Sequence, residues 1–214
     1  MRDVAPGFPR PGDRVLVATR SIHKLRELRE LLADFPLDLV SLDEMGIEDE
    51  VTETGRTFET NARLKATAYA RLSGLPTLAD DSGLEVDALG GGPGVRTRRY
   101  AGERASDREN NAKLLRALRG LPPEQRRAHY VCVLALALPR QDGSIARLLT
   151  ARGTCRGRIA LSPKGAGGFG YDPIFEPASE RPGGRTLGQW SAAEKNRISH
   201  RARAARGMAR RLAG

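Results

Sequence analysis

Two adjacent carboxylates, Asp80 and Asp81, lie inside an otherwise apolar run and are followed by Ser82 and Gly83. At the end of a short buried strand, such a pair concentrates negative charge where little water solvates it, which is tolerable mainly when a cation binds. The pair therefore predicts a metal-dependent site at a strand end. The alternative is an ordinary turn, because Asp, Ser and Gly are common turn residues.

A second polar segment, from Thr19 to Lys24, connects a predicted strand at 15–18 to a predicted helix at 22–33. Ser21 is the expected helix cap. Free backbone N–H groups and the positive dipole end of a helix favour an anion, and the side chains of Thr19 and Lys24 suit a phosphate. The segment has no glycines and is not a Walker loop, and taken alone it also fits an ordinary capped helix start.

A third segment predicts a helix at 57–73 with Thr57 as its cap. Asn61 and Lys65 are one helical turn apart, so their side chains are able to serve one ligand. The alternative is a solvated helix face.

A glycine-rich segment at 162–173 formally satisfies the G-x-G-x-x-G pattern of dinucleotide-binding folds. We reject that interpretation, because no strand leads directly into the segment and Pro173 blocks the helix that should follow. The segment instead predicts a loop whose backbone amides approach a ligand while Phe169 or Tyr171 covers a flat ring.

A donor-rich segment at 194–201 follows near the C-terminus. Lys195, His200 and Arg201 supply donors that suit a phosphate or a purine carbonyl.

The order of these blocks closely resembles the inosine/xanthosine triphosphate pyrophosphatases, which hydrolyse aberrant purine nucleoside triphosphates to the monophosphate and pyrophosphate. The resemblance runs from about Arg14 to the C-terminal helix and leaves out only residues 1–13. The matching blocks are Thr19 and Lys24; Glu53-Thr54-Gly55; Phe58, Asn61, Ala62, Lys65 and Ala66; 79–84; Pro93-Gly94; Arg99-Tyr100; 167–173; and Glu194-Lys195-Asn196 with Ser199-His200-Arg201.

The resemblance implies roles for most of the positions below, whereas the roles of Asp80, Asn61 and Lys65 are our own inference from the residues. Glu53 and Asp81 are expected to hold Mg²⁺, with Asp80 as a further or water-mediated ligand, and Asp81 is also the expected proton acceptor. The remaining positions are expected to bind substrate: Thr19, Arg20, Ser21, Ile22, His23 and Lys24 the triphosphate, Phe169, Gly170, Tyr171 and Asp172 the base and ribose, and Asn61, Lys65, Ser82, Lys195, His200 and Arg201 other parts of it. Relatives usually carry Thr-Gly-Asn where this chain has Thr19-Arg20-Ser21, and a small residue in place of His23.

The predicted reaction is phosphoanhydride hydrolysis by a water molecule that Asp81 orients or deprotonates. The resemblance implies attack on the α-phosphorus with pyrophosphate as the leaving group. The residues alone equally allow a phosphatase that releases inorganic phosphate.

The charge of the chain suggests a different class, a nucleic-acid-binding protein, because the net charge is +10 and the pI is about 10.4. Residues 181–214 carry nine Lys or Arg and one Glu, a local charge of +8. The same segment predicts an amphipathic helix, broken near Asn196, whose arginines form a solvated face. We therefore expect no dedicated nucleic-acid partner.

The coarse pattern predicts an α/β fold with an elongated central mixed sheet flanked by helices. The resemblance implies an ITPase-like architecture of two lobes with the active-site cleft between them, and a homodimer. We expect an N-terminal extension at 1–13 and one catalytic domain at 14–214. The predicted strands are 15–18, 37–41, 77–79, 128–138 and 145–155, with a hairpin turn at 141–144, and the predicted helices are 22–33, 57–73, 106–118 and the C-terminal one.

The remaining sequence features predict a cytoplasmic protein that does not span a membrane. No apolar run reaches membrane length, and residues 1–11 lack the apolar core of a signal peptide. Cys132 and Cys155 have no histidines at metal-ligand spacing and are predicted to be buried thiols. His129 is predicted to be structural.

Overall fold

Six strands form one mixed sheet in the order β2-β1-β3-β4-β5-β6. The computed structural model describes residues 7–35 and 37–213, so residues 1–6 of the predicted extension lie outside the described residues, as do Pro36 and Gly214. β1 pairs in parallel with β2 and β3, whereas β5 pairs antiparallel with β6. The predicted mixed α/β class is confirmed. The strands are β1 (Arg14–Ala18), β2 (Asp38–Ser41), β3 (Thr77–Val86), β4 (Arg127–Pro139), β5 (Ile145–Ile159) and β6 (Phe175–Pro177).

Local capping explains where most of the helices begin. The side chains of Ser21, Thr57, Ser106 and Ser191 each accept a hydrogen bond from the backbone N–H three residues later. These caps confirm the predictions for Ser21 and Thr57. The helices are α1 (Ile22–Leu31), α2 (Phe58–Ser73), α3 (Asp107–Ala117), α4 (Ala192–Ile198) and α5 (His200–Ala213).

Strand β3 corrects the expectation that a strand ends at the acidic pair. The strand continues from Thr77 to Val86, and both Asp80 and Asp81 lie inside it, so the interpretation of this segment as a turn is wrong. The physical reason is that the two carboxylates have cationic partners within the fold. Lys24 pairs with Asp80, and Lys65 lies beside Asp81.

The C-terminal segment forms two helices that meet at Ser199, three residues after the predicted break. Ser199 has extended backbone angles, with φ −60° and ψ 154°. Helix α5 buries Ala202, Ala204, Ala205, Met208 and Ala209. It exposes Arg203, Arg206, Arg210 and Arg211. The prediction that these arginines form the solvated face of an amphipathic helix is confirmed.

The chain divides into two compact units, each with its own apolar core. The first unit comprises Met1–Asp81, Cys132–Gly153 and Arg203–Gly214, and the second comprises Ser82–Val131 and Thr154–Ala202. Leu28, Leu134 and Met208 belong to the first core, whereas Leu114, Tyr130 and Phe175 belong to the second. The single catalytic domain at 14–214 stays a prediction.

The other structural expectations concern cysteines and membrane helices. Cys132 and Cys155 are buried and form no disulfide, as predicted. Within residues 7–35 and 37–213, no helix is long and apolar enough to span a membrane. His129 lies 2.8 Å from the Glu85 carboxylate through Nε2.

Arg126 is a buried side chain that binds three carbonyls on two backbone segments of the second unit. It is 2% exposed, and its guanidinium donates to the carbonyls of Leu118, Ile159 and Ala160 at 2.7, 2.8 and 2.7 Å. Burial lowers the pKa of Arg126, against the opposing effect of Glu176. The side chain therefore supplies the hydrogen bonds that these buried carbonyl groups need.

Replacing Arg126 by Met is expected to lower the free energy of unfolding by about 3 kcal/mol, because buried carbonyls lose their donors. The exposed neighbour Arg127 serves as the control, and Arg127→Met should change the same quantity by less than about 0.5 kcal/mol. Urea unfolding followed by circular dichroism measures both. Equal stabilities of the two variants would contradict the assigned role of Arg126.

Candidate active site

A cluster of one lysine and two carboxylates lies in the first unit. Lys65, on α2, places its ammonium group 2.6 Å from Glu53 Oε1 and 3.4 Å from Asp81 Oδ1. The same group donates to the carbonyl of Asp80 at 2.8 Å. The three side chains are 12%, 29% and 10% exposed, so the cluster is shielded but reachable through Glu53. Sequence spacing alone placed Lys65 on a helix face, and only the fold brings it to Asp81.

Asp80 points in a different direction from Asp81, as alternation along a strand requires. Its side chain has no exposed surface, and Oδ1 lies 2.5 Å from Lys24 Nζ. The Cys132 thiol donates to Oδ2 at 3.0 Å. Asp80 therefore orients Lys24, and its predicted role as a metal ligand stays a prediction. Cys132 was expected only as a buried thiol, because its contact with Asp80 joins residues 52 positions apart.

The electrostatics of the cluster favour proton transfer at Asp81. Burial raises the pKa of Asp81. The charges of Lys65 and Lys24 lower this pKa, whereas those of Glu53 and Asp80 raise it. A carboxylate with a raised pKa is a better proton acceptor near neutral pH. Asp81 Oδ2 is buried without a hydrogen-bond partner among the described residues, so one oxygen of this carboxylate is uncommitted.

Lys65 remains a cation in these surroundings. Burial by itself lowers the pKa of Lys65, but the charges of Asp81 and Glu53 outweigh burial and raise it above its ordinary value. The cluster thus holds a positive charge at the place where its carboxylates converge.

The donor set of the cluster fits a hard divalent cation. In the part of the chain that the structure describes, no group of three or more His, Cys, Asp or Glu side chains is arranged to hold a metal ion. Mg²⁺ usually takes one or two protein carboxylates and completes its shell with water and substrate phosphates. The uncommitted oxygen of Asp81 and the partly exposed carboxylate of Glu53 meet that smaller requirement.

The polar turn before α1 is closed by its own side chains. Thr19 Oγ1 accepts from the Ser21 N–H at 3.1 Å, and Ser21 Oγ accepts from the Lys24 N–H at 3.4 Å. Ile22 and His23 are exposed at the start of the helix. The segment thus has the geometry of a capped helix start, with a cation on the same turn.

Asn61 lies where it supports the backbone. It is 2% exposed, and its Oδ1 accepts from the Gly55 N–H at 2.8 Å. A Cβ at Gly55 would lie 2.5 Å from that oxygen, so the close approach requires glycine. Asn61 therefore fixes the segment that carries Glu53, and its predicted contact with a ligand stays a prediction.

A second group of predicted residues surrounds Asp172 in the second unit. Asp172 Oδ2 accepts from Lys195 Nζ at 2.8 Å and from the Phe169 N–H at 3.0 Å. The hydroxyl of Tyr130 donates to Oδ1 at 3.3 Å. Burial raises the pKa of Tyr130 well above its usual value, and Asp172 raises it further. The sequence showed Tyr130 only as part of an apolar strand, so its contact with Asp172 was missed.

The aromatic residues of the glycine-rich loop differ in what they contact. Lys195 Nζ lies 4.4 Å from the centre of the Phe169 ring, and the Arg201 guanidinium lies 5.9 Å from it. Tyr171 is 2% exposed and donates through its hydroxyl to the carbonyl of Thr97 at 2.8 Å. Of the two rings that were expected to cover a ligand, Tyr171 is a core residue and Phe169 remains for that role.

The end of the loop is anchored to α3. The Gly170 N–H donates to Asp107 Oδ2 at 2.6 Å, and the Asn111 side chain donates to the Gly170 carbonyl at 3.1 Å. The backbone amides of Phe169 and Gly170 are therefore engaged by carboxylates.

His200 and Arg201 lie at the start of α5, with their side chains buried. The His200 ring stacks on Tyr130, with a centroid distance of 4.7 Å and an interplanar angle of 9°. Arg201 is 1% exposed, and its Nη2 donates to Ser82 Oγ at 3.0 Å. The structure thus brings the predicted residues Ser82, Lys195 and Arg201 into one unit with Phe169 and Asp172.

Comparison with known proteins identifies the family. The model of the Ham1 family matches residues 15–211. The chain belongs to the Ham1 family. This match confirms the resemblance inferred from the order of the motifs.

Relatives of this Ham1 protein are similar along most of their length. A protein of Anaeromyxobacter sp. named dITP/XTP pyrophosphatase is 47% identical over 215 residues, which cover 87% of this chain and 91% of the relative. A protein of the same name from Geobacter sulfurreducens is 48% identical, covering 89% and 92%. A solved structure of a HAM1 protein from Coxiella burnetii has a TM-score of 0.82 at 39% identity, covering 94% of this chain and 98% of that one. The predicted ITPase-like α/β fold is confirmed by this likeness.

Proposed function

We propose that this Ham1 protein hydrolyses dITP, XTP and related aberrant purine nucleoside triphosphates to the monophosphate and pyrophosphate. The observation that carries the proposal is the buried Lys65–Glu53–Asp81 cluster, in a chain 47% identical to a protein named dITP/XTP pyrophosphatase. Removing such nucleotides keeps their bases out of DNA and RNA.

Glu53 and Asp81 are the residues that would hold Mg²⁺, which supplies neutralisation of phosphate charge when bound. Asp81 orients the attacking water and accepts its proton, and its uncommitted Oδ2 is available for that role. Lys24 and Lys65 offset the negative charge of the triphosphate. The hydroxyl groups and N–H groups of the turn from Thr19 to Lys24 bind phosphate oxygens.

In the second unit, Phe169 stacks on the purine base. The cationic groups of Lys195 and Arg201 lie over the Phe169 ring. The buried Asp172 holds Lys195 in place. His200 and Arg201 supply donors for the oxygen at the six position of hypoxanthine or xanthine. We further propose a homodimer in the cytoplasm, which rests on the resemblance to the pyrophosphatases and on the location of nucleotide pools.

A product assay tests the proposed reaction. Incubation with Mg²⁺ and dITP is expected to yield dIMP and pyrophosphate in equal amounts, and addition of EDTA should abolish both. Ion-exchange chromatography separates these products from dIDP and phosphate. Release of dIDP and inorganic phosphate would instead establish the phosphatase alternative.

The basic face of α5 is expected to have no part in the reaction. Replacing Arg206, Arg210 and Arg211 together by Gln should change kcat/KM for dITP by less than about twofold, because exposed charges contribute little. A parallel filter-binding assay with duplex and single-stranded DNA checks the rival class. Tight binding at physiological salt that disappears in the triple variant would favour the nucleic-acid-binding alternative.

A further inference from the structure

The side chain of Arg20, in the turn from Thr19 to Lys24, contacts the segment that follows β2. Its Nη1 donates to Asp43 Oδ1 at 2.7 Å, and its Nη2 donates to the Ile47 carbonyl at 2.6 Å. The carbonyl of Asp49 lies 3.5 Å from the same Nη2. The guanidinium is thus spread over one carboxylate and the backbone of a single segment, which suits its planar set of donors.

That segment carries Glu53 and has no regular secondary structure between residues 47 and 55. Before Glu53, the Tyr69 hydroxyl donates to the Asp49 carbonyl at 2.9 Å. After Glu53, Asn61 accepts from the Gly55 N–H at 2.8 Å. Arg20 therefore joins this irregular segment to the turn from Thr19 to Lys24, whereas Tyr69 and Asn61 join it to α2.

We propose that Arg20 is a positioning residue that holds the Glu53 segment beside the turn from Thr19 to Lys24. Its guanidinium does not contact the triphosphate. The expected effect of Arg20 on the Mg²⁺ requirement rests on the proposed function, whereas its expected effect on the hydrogen exchange of residues 47–55 does not. A triphosphate that used Arg20 would have to compete with Asp43 for the guanidinium. If Arg20 positions the Glu53 segment, replacing Asp43 should loosen that segment. If Arg20 instead contacts the triphosphate, replacing Asp43 should free the guanidinium and improve substrate binding.

The test compares Arg20→Met, Asp43→Asn and the double variant with Arg26→Met. Arg26 is a matched control, because it is an exposed arginine of α1 that pairs only with Glu30 in the part of the chain described, at 3.9 Å. The first measurement is amide hydrogen exchange of residues 47–55 in the protein without nucleotide or metal. Arg20→Met should speed this exchange about 5- to 30-fold, the range expected for loss of charge-assisted hydrogen bonds.

The second measurement is the Mg²⁺ concentration that gives half-maximal hydrolysis of dITP. We expect Arg20→Met to raise it about 5- to 30-fold with little change in kcat at saturating Mg²⁺. Asp43→Asn should act in the same direction on both measurements, and the double variant should be no worse than Arg20→Met, because the two residues act through one contact. Arg26→Met should match the unmodified protein.

Two outcomes overturn the proposal. One is unchanged exchange of residues 47–55 in Arg20→Met. The other is a lower KM for dITP in Asp43→Asn together with a higher KM in Arg20→Met, which assigns Arg20 to the substrate. Failure of the unmodified protein to hydrolyse any nucleoside triphosphate would reject the proposed function only, because the exchange measurement still decides the role of Arg20.

Discussion

Replacing Asp81 by Asn should lower kcat/KM for dITP by at least about 100-fold while leaving the fold intact. The change removes one negative charge and the proton acceptor with almost no change in shape. Asp81 Oδ2 has no hydrogen-bond partner among the described residues, so the amide breaks no bond at that atom. Burial raises the pKa of Asp81, so burial by itself favours a neutral side chain at this position.

Steady-state kinetics with dITP and thermal unfolding by circular dichroism measure the two parts of this expectation. Asp142→Asn is the matched control, because Asp142 is an exposed residue of the β4–β5 hairpin turn and Asn suits a turn. It should retain full activity. Near-normal turnover in a well-folded Asp81→Asn protein would remove Asp81 from the reaction.

The unmodified protein should prefer dITP to dATP by about 100-fold in kcat/KM, because adenine presents an amino donor where hypoxanthine presents an oxygen acceptor. A buried donor that faces the amino group is left unpaired. The amides of Phe169 and Gly170 bind Asp172 and Asp107. The amide of Tyr171 and the side chains of His200 and Arg201 are the expected discriminators.

Arg201→Gln should narrow the preference for dITP over dATP about tenfold and lower the rate with dITP. Arg203→Gln is the control, since Arg203 is exposed two residues later on the same helix and should leave the ratio unchanged. Competition between the two nucleotides in one reaction measures the ratio directly. Equal hydrolysis of dATP and dITP by the unmodified protein would reject recognition of the six-oxygen.

Short-range features of this chain were predictable because their partners are close in sequence. The caps at Ser21 and Thr57 each join groups three residues apart, so the local pattern contains all the information. The same is true of the amphipathic face of α5, which follows from the helical repeat. The break between α4 and α5 was displaced from Asn196 to Ser199, because helix ends are set by competing local bonds.

The order of the motifs by itself determined the family, since many blocks in one order are more specific than any single block. Tertiary structure decided how these blocks meet. The acidic pair continues inside β3 only because lysines from α1 and α2 neutralise it. Tyr171 belongs to the core and Phe169 does not, although both are aromatic residues of one loop. Contacts between residues distant in sequence depend on packing, so spacing along the chain does not contain them.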